Sequence, residues 1–99
     1  MTPLIVHFTS LQLAVLVAIT ADARENATLR DGYGVTADEA IALADNFASA
    51  QPGFVHIPPT CADLLLAELG KIQAASQEGP EHVRMLANAA AKIDAARGR

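Results

Sequence analysis

Three side chains of the kind that bind metals or move protons recur at related places in this sequence. His7 lies in Val6-His7-Phe8 and His56 in Val55-His56-Ile57. Cys61, the one cysteine, follows soon after the second. Two imidazoles and a thiolate suit a transition metal, and a pair of exposed imidazoles suits a proton-sensitive contact. The spacing works against both. There is no His-x-His, no His-x3-His and no Cys-x2-Cys, so hydrogen-bonded or partly exposed histidines are expected, and neither a metal nor another cofactor. Cys61 falls at a predicted helix start, where the dipole lowers a thiol pKa. No base adjoins it in sequence, so a buried, unreactive thiol is the expectation.

Catalytic patterns are missing elsewhere too. Ser, His and Asp all occur, but without a G-x-S-x-G elbow. Glu81-His82 is not H-E-x-x-H, and Gly32-Tyr33-Gly34 is a turn rather than a phosphate or dinucleotide loop. No enzyme is expected. The remaining candidates are charged. Asp38, Asp45 and Ser49 share the outward side of one predicted helix, and Asp22, Arg24 and Glu25 cluster at the end of another. Either group serves as a partner-facing surface or as a solvated face.

The elements that must hold these residues read as two β-α-α units, each opened by a Val-His strand. The strands are placed at about 3–8 and 54–57, and the helices at about 10–27, 36–50, 60–77 and 80–97. The fold class is a helix-dominated α+β domain over residues 1–99. Pro3 stands where a missing N–H is tolerated, and Thr9 or Ser10 offers an N-cap. From Leu11 to Ala21 only Gln12 and Thr20 are polar. A helix apolar all round is either central or an interface, and in the second case residues 4–21 are the surface of a homodimer. Its polar last turns, Asp22 to Arg30, are expected to project outward.

Asp31-Gly32-Tyr33-Gly34 turns the chain, and Thr36-Ala37-Asp38-Glu39 forms a capping box. Ala40, Ile41, Ala44, Phe47 and Ala48 are the expected buried stripe of the second helix. Thr60 and Asp63 make a similar box for the third, whose inner stripe is Ala62, Leu65, Leu66, Leu69 and Ile72. Gly70 inside that helix suggests a close backbone approach. Gly79-Pro80 separates it from a fourth helix with Val83, Leu86, Ala87, Ala90 and Ile93 inside. Helices three and four should pair as a hairpin. The two strands can pair either way or expose their edges.

Composition narrows the function classes. The chain has 99 residues and a net charge of −4, with six acids against Arg24 and Arg30 in residues 1–50. No Lys/Arg stripe is present, which argues against nucleic acid and against an anionic membrane surface. The apolar run from Leu4 to Ala21 is broken by His7, Thr9, Ser10 and Gln12, and the first Lys or Arg is Arg24. Neither a membrane span nor a signal peptide is therefore expected, and the N-terminus is expected to be retained. A single cysteine suits the reducing cytoplasm.

The leading expectation is a small soluble protein–protein interaction domain, an adaptor, antagonist or immunity-type inhibitor that occludes a partner with a basic surface. The alternatives are a small-ligand or metal sensor using His7 and His56, with Cys61 as an outside third donor, and a structural homo-oligomer subunit.

Overall fold

Among residues 2–98, which the computed structural model describes, two strands and five α-helices follow one another as two related halves. The first half is β1 (Leu4–Phe8), α1 (Ser10–Glu25), α2 (Ala27–Asp31) and α3 (Ala37–Ser49). The second is β2 (Gly53–Ile57), a 3-10 turn (Pro59–Cys61), α4 (Ala62–Ala75) and α5 (Pro80–Arg97). The molecule is a helix-dominated α+β fold, as the sequence pattern implied.

The strands pair antiparallel, with Val6 opposite Val55, Ile5 opposite His56 and His7 opposite Phe54. The two Val-His strands thus cross at equivalent valines, and they share one alternation of buried and open residues. Val6, Phe8, Val55 and Ile57 point inward; Ile5, His7, Phe54 and His56 point outward. A two-stranded sheet leaves both edges open to further pairing. Here the Lys92 ammonium of α5 donates to the His7 carbonyl at 2.9 Å, and the Asn46 amide of α3 donates to the His56 carbonyl at 3.0 Å. Each latch comes from the other half's last helix.

The start of α1 shows why an all-apolar stretch still packs on one side. Thr9 and Gln12 form a capping box: Thr9 Oγ1 accepts from the Gln12 amide, and Gln12 Oε1 accepts from the Thr9 amide. That places Gln12 inside. Its Nε2 donates to the Met85 carbonyl at 3.2 Å and to Asn88 Oδ1 at 3.0 Å, while its Oε1 also accepts from Lys92 Nζ at 3.1 Å. Thr20, equally buried, donates to the Leu16 carbonyl of the preceding turn. The two polar residues of the stretch are therefore in the core beside Leu13, Leu16 and Ile19. Leu11, Ala14 and Ala18 face outward. The helix is neither buried all round nor apolar only inside: four apolar residues and two hydrogen-bonded polar ones share its inner face.

Other expectations need correction. The first helix, expected at about 10–27, ends at Glu25, and the polar stretch from there to Arg30 is not part of it. Its C-cap is Asn26, whose side chain accepts the Leu29 amide and starts α2, and Arg30 Nη1 donates back to the Ala23 and Arg24 carbonyls. An Asn that recaps the chain makes five helices of the expected four.

The Thr36–Glu39 box is present. Behind it, α3 buries Ala40, Leu43, Ala44 and Phe47; Ile41 and Ala48 are outside the stripe, and Leu43 takes the inner place. Thr60 does not cap α4. Pro58-Pro59 winds a 3-10 turn through it, its hydroxyl donates to Glu39 Oε2 at 2.7 Å, and α4 begins without a side-chain cap. Asp63 pairs with Arg97 instead, which sets the start of α4 beside the end of α5 and makes the expected antiparallel hairpin.

The inner stripe of α4 is Ala62, Leu64, Leu65 and Leu69, with Leu66 and Ile72 half-buried. Gly70 is exposed, and a Cβ there would meet nothing within 4 Å, so no close approach explains it. In α5, Leu86, Ala89 and Ile93 are buried, while Val83, Ala87 and Ala90 sit at the margin.

All these inner faces meet in one cluster under the sheet. Phe8 and Phe47 lie 6.2 Å apart within it, and Leu16, Leu64, Leu65, Leu86 and Ile93 are fully buried around them. No described helix is long and apolar enough to cross a membrane.

Candidate functional site

The histidines and the cysteine do not converge. His7 and His56 share the outer sheet face but sit diagonally rather than opposite one another, because each faces an apolar residue of the partner strand. The Phe54 ring stands edge-on to His7, with centroids 5.2 Å apart. Cys61 is buried in the core, on the other side of the sheet from the imidazoles. Burial pushes its thiol up, the Glu39 charge adds to this, and the 3.9 Å contact with Thr60 does not offset it. Such a thiol is a poor nucleophile and a poor ligand. Among the described residues no group of three or more His, Cys, Asp or Glu side chains is placed to hold a metal.

The charged candidates divide differently from the way the sequence groups them. Asp38 and Asp45 are exposed on α3, two turns apart. Ser49 is exposed too, but its hydroxyl donates to the Asp45 and Asn46 carbonyls of its own helix, so it presents no donor to a partner. Arg24, across on α1, reaches 3.2 Å from Glu25 and 4.0 Å from Asp45. Arg24 and Glu25 thus join the α3 surface. Asp22 does not: it borders a separate hollow toward α4, beside Glu68 and Lys71, which pair with each other at 3.0 Å.

Periodicity misassigned the residue that gives the α3 surface its character. Ile41, 45% exposed, stands between Asp38 and Asp45. Read as part of an apolar stripe, it belongs inside. The clue is that Ala40, Leu43, Ala44 and Phe47 make an equally regular stripe that leaves it out.

Glu39 sits one position from the acidic face but works inward. Its carboxylate accepts from the Thr60 hydroxyl through one oxygen and from the Thr36 amide through the other. The Thr60 hydroxyl, followed by the Thr36 amide and hydroxyl, holds its carboxyl below the usual glutamate range. One side chain thereby ties the start of α3 to the turn before α4.

No protein-family model, no curated protein and no solved structure matches this chain. The functional reading therefore stands on the geometry.

Proposed function

We propose that this chain is a non-enzymatic interaction domain, an adaptor, antagonist or immunity-type inhibitor, that occludes a partner with the outer face of α3. The observation that carries the reading is Ile41 exposed between Asp38 and Asp45, an apolar centre with an acidic rim. Interfaces combine a desolvated apolar centre with a polar margin in this way, and the sign of the rim selects a basic partner. Arg24 and Glu25 extend the margin onto α1.

The test is capture of partners from a lysate on immobilised protein. Asp38→Lys/Asp45→Lys and Ile41→Ser should each remove the same captured species. Capture unchanged in both variants overturns the reading.

A second reading, a homo-oligomer built through residues 4–21, draws on a different observation. Leu11 is 70% exposed at the start of α1, in line with exposed Ala14 and Ala18. Light scattering separates the two: a monomer at high micromolar concentration excludes obligate assembly. The histidine-based sensor has no comparable support, since its three candidate ligands lie on opposite sides of the sheet.

A further inference from the structure

Beside the acidic face of α3 lies a hollow of about 240 Å³ lined by Pro3, Ala42, Leu43, Asn46, His56 and Pro58. It lies where α3 borders the outer side of β2, and Leu43, almost wholly buried, lines it. Sites for drug-sized ligands occupy about 300–1,000 Å³; this one is smaller and has the size of a single large side chain.

Its lining carries no lysine or arginine. The formal charges of α3 are all negative: Asp38, Glu39 and Asp45. Ala42 has Asp38 one turn before it and Asp45 one turn after, both exposed.

From His56 the surface continues across the outer sheet face. Ile5, opposite His56, is 53% exposed, and Phe54, on the same face, is 73% exposed. The Asn46 amide already donates to the His56 carbonyl beside the hollow, and what the hollow offers a partner is its side chains.

We infer that this hollow is the socket for one apolar anchor residue of a partner protein segment whose neighbouring residues are lysine or arginine. The anchor enters between Ala42 and His56, the basic residues meet Asp38 and Asp45, and Ile5 with Phe54 forms an apolar shelf beyond. The socket rests on the acidic-face reading above and gives it a partner chemistry: a buried apolar anchor supplies affinity, and the charges supply orientation and association rate. The hollow beside Asp22 differs in having a cation in its lining, Lys71, paired with Glu68 at 3.0 Å.

The experiment is selection from a random peptide library on the immobilised wild-type protein, followed by binding of one synthetic consensus peptide to variants with wild-type circular dichroism. Enriched sequences should pair a Leu, Ile, Met or Phe with nearby lysine or arginine. Ala42→Phe, which fills the hollow without changing charge, should weaken the consensus peptide at least about tenfold. Asp38→Asn/Asp45→Asn should weaken it as well, while Glu81→Gln on the first turn of α5 should leave it unchanged. Absence of anchored basic sequences among the enriched peptides overturns the inference. Binding that responds to the aspartates but not to Ala42→Phe overturns the socket and leaves the acidic-face reading standing. Binding that responds to Ala42→Phe but not to the aspartates overturns the basic-partner assignment in both.

Discussion

α1 and α4 each follow a Val-His strand and each lead their half into the core, yet they bury themselves by different means. α4 enters uncapped after a proline-wound turn and packs through Leu64, Leu65 and Leu69. α1 enters through a capping box and places Gln12 and Thr20 among its leucines. The cost of burying an amide is met because every partner Gln12 needs is present: the Thr9 amide, the Met85 carbonyl, Asn88 and Lys92. The same lysine closes the β1 edge through the His7 carbonyl. The first half thus gains a positional constraint, since α1, α5 and β1 meet at one side chain. α4 buries only apolar residues, and its polar tie to α5, Asp63–Arg97, lies at the surface.

The largest test of this contrast is a matched pair of truncations. Leu16→Ala and Leu65→Ala, both fully buried, should each cost about 2–5 kcal/mol in urea unfolding. A negligible cost at Leu16 would make α1 an appended layer rather than half of the core.

Gln12→Leu comes next. It keeps the volume roughly but strands the Thr9 amide and removes the link to α5, for about 1–3 kcal/mol. Amide exchange at the start of α1 should quicken more than in α4. A neutral result would show that the buried network is dispensable and that both helices rely on packing.

Caps sharpen the comparison at smaller scale. Thr36→Ala should cost about 1 kcal/mol. Thr60→Ala, which removes no cap, should cost less; the reverse order would restore Thr60 as a helix cap. Gly70→Ala should raise the stability of the second half by up to about 1 kcal/mol, because the site is open and helical. A loss there would reveal a close approach to Gly70 that the fold does not show.

The smallest effect is in pH. The Glu39 pKa is lowered in the folded state by Thr60 and Thr36. Its contribution is therefore fully present above the ordinary glutamate value of about 4.3 and is lost as pH falls through the lower folded value. Compared with Glu39→Gln, the wild type should lose stability faster as pH falls below about 4.3. Parallel curves would remove the charged tie between α3 and the Pro59–Cys61 turn.

Much of the architecture was legible because its signals are local. Gly79-Pro80 and Thr36-x-x-Glu39 act within one turn of chain, and the alternation in Val6-His7-Phe8 and Val55-His56-Ile57 needs only the strand period. Thr9-x-x-Gln12 carries the same kind of signal, but by hydropathy alone the glutamine only interrupts an apolar run. Thr60 misled for the opposite reason: its spacing to Asp63 fits a box, while two prolines and the distant carboxylate of Glu39 compete for it. The candidate surface was legible only as charges. Asp38 and Asp45 could be placed on the outside, but their union with Arg24, the exposure of Ile41 and the hollow beside Ala42 depend on how α1, α3 and β2 come together.

Local chemistry by itself determined the order of strands and helices, the firm cap of α3, the outward acids and the helix-dominated class. Tertiary structure decided the antiparallel crossing at Val6 and Val55, the burial of Gln12, the separation of Cys61 from both histidines, and the socket beside α3. The physical reason is range. Caps and turns are settled by neighbours in the chain. The face a helix buries, and the surface it leaves for a partner, are settled by whichever packing satisfies the most distant polar groups while covering the most apolar area.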